Sequence, residues 1–492
     1  MKIKSLEVDN HPVLGTFTYS FEDGHSINLL VGKNGSGKTR FIEFLHTLLD
    51  KSFRVWEIPD WNNGPISRIK LSVELEGDET KNLAQIEIEG KVVEQSLASG
   101  EVYFETENKD KDNPWNNFEV YMLNDDGQTY GVLPFEFKRS LENKKPFSKV
   151  LNNKTRYSGV QINFEYKPVT SYADIVDDDE KIQTKSNISL ADDINKLLVA
   201  TFNRDNTFLG EESRKGSAHP AFKGDFDRFR DAYNGLFQTK EILGVQQDGS
   251  DNKIILKDKV SGKEFGIDGL SSGEQQIVYR AGYLLRHLNI KNGGIVFIDE
   301  PELSLHPEWQ VGYLQFLQNI FGTDIQFIIA THSPYIVKSG IDTDVVSITK
   351  LYSDGANLKN ENLHHVSKLG RATFAEVNYK AFGIVSEELH TELYLALQRT
   401  FSPEKYDAAR AKYIGGRPCD LDFEITQPPH NVPIFIKWLD INDKKYPNKE
   451  ETKMTFIRNI INHGEDAVKR GRGRTYTQLE LRQSIEEMLK LL

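Results

Sequence analysis

Gly32-Lys33-Asn34-Gly35-Ser36-Gly37-Lys38-Thr39 is the stretch whose reading decides the fold. It stands between Ile27–Val31, an apolar run of strand length, and Thr39–Leu49, where Phe41, Leu45, Leu48 and Leu49 recur at helical spacing. The glycines therefore fall on a strand-to-helix turn. Without Cβ atoms there, the backbone can wrap a phosphate and aim successive N–H groups at it, backed by the positive end of the helix. Lys38 is placed to reach the β and γ phosphates and the Thr39 hydroxyl to ligate Mg²⁺. With Asn34, Gly35, Ser36 and Gly37 these make the expected nucleotide-binding set, and the implied cofactors are ATP and Mg²⁺.

Downstream, Gly294-Ile295-Val296-Phe297-Ile298-Asp299-Glu300 is an apolar run ending in two acids, followed by Pro301-Glu302. A buried parallel strand delivers such a carboxylate to the edge of its sheet. Asp299 is expected to hold Mg²⁺ through water and Glu300 to polarise the attacking water. Asp268 to Gln276 contains Leu270-Ser271-Ser272-Gly273-Glu274 just before a helical pattern, a second helix N-terminus suited to an anion. Ile325–Ala330 is another buried strand, ending in Thr331-His332-Ser333-Pro334.

These segments, in this order, resemble the ATP-binding-cassette ATPases, in the soluble branch that includes chromosome-maintenance, DNA-repair and phage-defence proteins. The resemblance covers roughly residues 1–55 and 265–350. It implies that Ser271, Ser272, Gly273 and Glu274 form the signature motif, Ser304-Leu305-His306 the D-loop, and His332 the switch histidine. It also implies a homodimer, in which the signature of one copy closes on the γ-phosphate held by the other. Gln161, in the strand-like run Tyr157–Phe164, is taken for the Q-loop glutamine.

The rest of the chain sets the boundaries. Its 492 residues suggest about two to four domains. Hydrophobic content of 38% with 27% charged residues is that of a soluble globular protein. Met1 to Glu7 alternates like a strand and lacks a secretory leader's apolar core, and no run is long enough to span a bilayer. The single cysteine, Cys419, excludes an internal disulfide and a cysteine-rich zinc site, so a cytoplasmic protein without membrane attachment is expected. A net charge of −12 argues against wholesale coating of nucleic acid but leaves room for a local basic patch.

The expected fold is α/β, an ATPase domain over residues 1–364 with its core in 1–55 and 265–364. Residues 56–264 read as an insertion. Within it Ile69–Leu75, Gln85–Ile88, Val102–Phe104 and Phe118–Met122 suggest a β-meander, and 175–240 reads as more helical. No sustained heptads point to a long coiled-coil arm. Residues 365–492 read as a separate all-α domain, its helical character carried by Phe374 to Phe382, Leu389 to Leu397, Val432–Leu439 and Lys453–Ile461, with a last helix opening at Thr475 or Thr477.

In that tail Arg458 and His463 are five residues apart, which leaves them about 140° from eclipsed on a regular helix. A helix that unwinds near Gly464, or two such helices across a dimer, would bring them to one phosphate. Lys469-Arg470-Gly471-Arg472-Gly473-Arg474 follows as a flexible cationic loop. The tail resembles the HEPN domain of prokaryotic RNases, whose motif of Arg, a polar residue, three more residues and His fits Arg458-Asn459-Ile460-Ile461-Asn462-His463. That resemblance implies a dimeric, metal-independent endoribonuclease using the 2′-OH, with Arg458 on the scissile phosphate, His463 as general acid and base, and Asn459 orienting one of them. A surface arginine and a helix-capping histidine are the plainer alternative.

Two functional readings result. In one, an ATPase dimer gates a toxin-like RNase that resembles the anticodon nucleases, with tRNA as substrate and a phage component as trigger. In the other, an ATP-hydrolysing sensor or scaffold recruits or restrains a separately encoded effector nuclease. A DNA-repair enzyme with its own metal nuclease is disfavoured, because the tail lacks clustered acids at strand ends.

Overall fold

The computed structural model describes residues 2–50, 66, 68–74, 85–88, 91–94, 101–107, 118–123, 129–132, 155–158, 190–214, 224–248, 251–287, 293–303, 305–341, 343–363, 367–369, 373–401, 421–426, 428–439, 448–467 and 474–492. The chain divides into two compact units, Met1–His364 and His365–Leu492.

The first unit is built on two six-stranded sheets. One begins with β1 (Lys2–His11) and β2 (Gly15–Ser20) and continues through β4 (Arg68–Glu74), β7 (Glu101–Glu107), β8 (Phe118–Leu123) and β9 (Thr129–Val132), in the order β2-β1-β4-β7-β8-β9 with every pair antiparallel. The expected meander thus extends the N-terminal hairpin, because β4 pairs with β1 from Lys2↔Glu74 to Asp9↔Arg68. Between β4 and β7 a small hairpin pairs β5 (Gln85–Ile88) with β6 (Lys91–Glu94).

The other sheet includes β3 (Ile27–Val31), β10 (Thr155–Ser158), β14 (Gly294–Asp299), β15 (Ile325–Ala330), β16 (Val346–Ser353) and β17 (Leu358–Asn362). Its order is β10-β14-β15-β3-β16-β17, parallel except for the last pair. Every residue of β3, β14 and β15 is buried, as expected of strands covered on both faces. Helix α1 (Lys38–Asp50) packs Phe41, Ile42, Leu45, Leu48 and Leu49 into the core shared with β1 and β4. Polar side chains join the layers: Gln326 accepts from the Ile3 amide at 2.7 Å and donates to the Ile3 carbonyl at 3.0 Å, tying β15 to the antiparallel sheet.

Helices α2 (Leu190–Arg214) and α3 (Asp225–Leu236) precede a three-stranded antiparallel sheet of β11 (Lys240–Asp248), β12 (Asp251–Asp258) and β13 (Glu264–Phe265). Then come α4 (Ser272–His287), α5 (Pro307–Phe321) and α6 (Pro334–Ile341). Gln161, the acidic run Asp177–Glu180, Ser304 and Lys469–Gly473 lie outside the described residues.

The second unit contains α7 (Phe374–Val377), running on into a π-helical turn over Asn378–Phe382, then α8 (Glu387–Phe401), α9 (Leu421–Thr426), α10 (Lys453–Ala467) and α11 (Gln478–Leu491). Leu389, Leu393, Leu397, Ile457, Ile485 and Met488 form its core. It is not all-α. Val432–Leu439 was expected to be helical, but β18 (Ile434–Leu439) pairs antiparallel with β19 (Asn448–Thr452). The physical reason lies in the run itself: Ile434-Phe435-Ile436-Lys437-Trp438-Leu439 is rich in β-branched and aromatic residues, begins just after Pro433 and is too short for a stable helix.

Candidate functional site

The site lies at the C-terminal edge of the parallel sheet, where strand order brings distant segments together. β15 sits between β3 and β14, with Ala330 registered against both Leu30 and Asp299. Main-chain bonds continue beyond the strands: Thr331 N donates to Leu30 O at 3.0 Å, and Glu300 N to Ala330 O at 2.9 Å. The glycine loop, the paired acids and the histidine turn therefore emerge at one level.

The loop is shaped by its glycines. Gly32 has φ +146°, and a Cβ there would stand 2.3 Å from the Leu351 carbonyl oxygen. Gly37 has φ +94° and would meet Leu14 at 2.9 Å. Asn34 and Gly35 are exposed at the tip, Ser36 is buried, and Thr39 is half-buried. Lys38 is buried and donates to the Gly32 and Lys33 carbonyls at 3.0 and 3.2 Å. Burial pulls its ammonium down to about 8, against the pull of Glu300, Asp299 and Glu302. A phosphate at the loop would restore its full charge.

Asp299 is wholly buried, and neither carboxylate oxygen has a well-aligned hydrogen-bond partner. Burial pushes its carboxyl up to about 6, although the neighbouring Thr39 hydroxyl favours the charged form. A buried acid left this way suits a cation. Among the described residues no three His, Cys, Asp or Glu gather into a metal cage. Mg²⁺ keeps several waters and phosphate oxygens and needs one or two protein ligands, which Asp299 and Thr39 would supply.

Glu300 has φ +45°, a left-handed conformation that side-chain-bearing residues adopt at a cost. His332 Nε2 lies 3.5 Å from Glu300 Oε1. Burial and the Lys38 charge lower the histidine pKa, with Glu300 opposing them. The neutral ring this favours can donate to Glu300 or to a phosphate oxygen. Sequence reasoning gave Glu302 no part, yet its carboxylate accepts from the Thr331 hydroxyl at 2.8 Å and from the His332 amide. Its only signal was position, one residue past a proline. His306, in the expected D-loop, caps α5 through Nδ1.

At the signature, Ser271 and Ser272 are exposed while Gly273 and Glu274 are buried. Glu274 faces inward: one oxygen accepts from the Ser271 amide and hydroxyl, both at 2.7 Å, and pairs with Lys240 at 2.7 Å. It caps the turn at the start of α4, so exposed ligand groups come from the serines rather than from Glu274. No hydrogen bond or ion pair among the described residues joins Ser271, Ser272 or Gly273 to Gly32–Thr39 of the same copy.

In the second unit Arg458 donates to Asn459 Oδ1 at 2.9 Å and lies 5.6 Å over the Tyr394 ring. Asn459 donates in turn to buried Glu451 at 2.8 Å. His463 is exposed, and no described bond ties it to either residue. Helix α10 breaks immediately after it, at Gly464, with φ 50° and ψ −135°. Arg474 bonds Glu480 at 2.8 Å and lies over the rings of Phe435 and Phe456.

A glycine loop with its lysine, an acid pair ending the neighbouring-but-one strand and a histidine between them define a nucleoside-triphosphate hydrolase of the P-loop class. The family described as AAA ATPase domain matches residues 1–337, and the chain belongs to it. ATP, with Mg²⁺, is the ligand this domain implies. Among curated proteins, the chain is 37% identical over 100 residues to a retron Vc95 probable ATPase of Vibrio cholerae serotype O1 biovar El Tor, covering 18% of this chain and 19% of that protein. It is 37% identical over 106 residues to a retron Ec83 probable ATPase of Escherichia coli (20% and 19% covered), and 31% identical over 126 residues to the Septu protein PtuA of Bacillus mycoides strain KBAB4 (25% and 17%). The matched stretches thus span about a fifth of those relatives' lengths. Among solved structures, the SMC head domain from Thermotoga maritima is 12% identical with a TM-score of 0.39, covering 74% of this chain and all of that one. An Smc head bound to the C-winged helix domain of ScpA stands at 12% and 0.42. No helix among the described residues is long and apolar enough to cross a membrane.

Proposed function

We propose that this protein is an ATP-hydrolysing switch of an anti-phage system: two copies close on ATP, and the C-terminal unit passes that state to a separately encoded effector nuclease. The observation that carries the ATPase half is the fully buried Asp299, with no well-aligned hydrogen bond, beside Lys38, Thr39 and the Glu300–His332 pair. Lys38 holds the phosphates, Asp299 and Thr39 the cation, and Glu300 takes the proton of the attacking water while His332 steadies Glu300 or the γ-phosphate. Ser271 and Ser272 are exposed and make no bond to the glycine loop of their own copy among the described residues, which supports completion of the site by dimerisation. The retron and Septu names of the relatives support the defence setting.

The output is assigned outside this chain because, within one copy, Arg458 and Asn459 bind each other and Glu451 rather than converging with His463. A second reading has its own support. Arg458 has no carboxylate partner among the described residues, and the helix break at Gly464 frees His463, so two copies could assemble an RNase site acting on tRNA. Purified protein incubated with total tRNA, with ATP, ADP or no nucleotide, separates the two. The first reading expects intact tRNA in all three states. His463-dependent cleavage would replace it with the second.

A further inference from the structure

Glu302 takes no direct part in the chemistry assigned above, yet it closes a circuit of hydrogen bonds around it. Its carboxylate accepts from the Thr331 hydroxyl at 2.8 Å and from the amide of His332. The Thr331 oxygen accepts from Ser333 N at 2.9 Å, the Ser333 hydroxyl donates to Gln310 Oε1 at 2.5 Å, and Gln310 Nε2 donates to the Leu305 carbonyl at 2.9 Å. Leu305 N returns to the Glu302 carbonyl at 2.9 Å. The circuit thus joins the turn after β14, the start of α5 and the turn after β15.

An acid that merely ended a turn would point to solvent, where its charge is hydrated at no cost. Glu302 is instead drawn inward, and burial raises its pKa while the donors from Thr331 and His332 hold it towards the charged form. The amide it grips belongs to the residue whose ring stands 3.5 Å from Glu300. A shift of that amide would carry the ring with it, and hydrolysis is sensitive to such displacements.

We propose that Glu302 is a positioning residue for hydrolysis: it aims His332 at Glu300 and, through Thr331, Ser333 and Gln310, locks that aim to Leu305–His306. The proposal rests on Glu300 being the hydrolytic acid. The circuit makes no hydrogen bond to the glycine loop or to Lys38, and Glu302 acts on Lys38 only through its charge, so ATP binding is expected to change little.

The test compares full-length wild type with Glu302→Ala, Glu302→Gln and Glu300→Gln, measuring kcat and KM separately and MgATP binding by calorimetry. Glu302→Ala leaves two donors without their acceptor and is expected to lower kcat on the order of 10- to 100-fold, with KM and binding changed less than about threefold. Glu302→Gln keeps an oxygen for the His332 amide and can donate to Thr331, so it should recover kcat to within about fivefold of wild type. Should Glu302→Ala fail to fold, Gln310→Leu opens the circuit at its far side and is expected to lower kcat about threefold or more. Unchanged kcat in Glu302→Ala, or in Gln310→Leu where that stands in, would overturn the proposal when Glu300→Gln is inactive. So would a loss confined to KM. Normal turnover by Glu300→Gln would instead overturn the reading of Glu300 on which the proposal stands.

Discussion

Asp299 shows how one residue trades stability for function. Its buried oxygens have no aligned partner, and burial holds its carboxyl near 6. Replacing it by asparagine removes the cost of burying an ionised group, a relief worth about 1–3 kcal/mol near neutral pH. Glu300 still ends the strand, so the fold is kept. Asp299→Asn should therefore raise the thermal midpoint of the nucleotide-free protein by about 2–4 °C in differential scanning fluorimetry, gain less than wild type from MgATP, and lose hydrolysis. A lower midpoint would show that the carboxylate is satisfied. At this scale much was legible in sequence: Lys38, Thr39, Asp299 and Glu300 sit in short motifs whose spacing is their chemistry. Glu302 and the inward turn of Glu274 were not. Their partners, His332 and Lys240, lie 30 and 34 residues away and are joined to them only by folding.

The elements carry the same lesson and two further expectations. Of the parallel strands, β3, β14 and β15 were legible because they are apolar runs bounded by punctuation, whereas β16, with its mixed Val346–Ser353, was not. Nor was β18, since a six-residue run with five apolar or aromatic residues fits either a buried helix turn or a strand until β19 supplies the pairing. β10 joins the nucleotide-binding sheet from within the presumed insertion, a placement set by its pairing with β14 rather than by any local pattern. In the C-terminal unit α8 meets α11 through His390, fully buried, whose Nε2 lies 2.9 Å from Ser484 Oγ. Burial lowers its pKa to about 3, below the ordinary 6.5. Between those values the unfolded chain takes up a proton that the folded unit refuses, so stability is complete above 6.5 and falls as pH drops towards 3. Chemical denaturation should show the unit losing about 2 kcal/mol from pH 7.5 to 5, a loss that His390→Leu largely removes. Equal pH dependence in the variant would place the titration elsewhere. At the start of α11, Thr477 and Glu480 form a reciprocal capping box. Thr477→Ala should cost about 1 kcal/mol in the same assay. An unchanged midpoint would mean that the final helix contributes little to the unit.

At the scale of the whole molecule the proposed function has one requirement: a single copy holds ATP, and a second copy would complete its site. The exposed serines of the signature, the circuit from Glu302 to Leu305 and the Glu300–His332 pair then belong to one machine whose closed form is set by nucleotide. The boundary between the units coincides with a change from strand-rich to helix-rich sequence, whereas the hairpin inside the second unit gives no such sign. The most direct measurement is the mass of purified Glu300→Gln by multi-angle light scattering, with and without MgATP, beside its turnover. The account predicts that MgATP doubles the mass, that Ser272→Arg placed in the same variant prevents the doubling, and that hydrolysis falls at least about 100-fold below wild type. A mass that stays at one copy with ATP bound, or turnover at the wild-type rate, would contradict it.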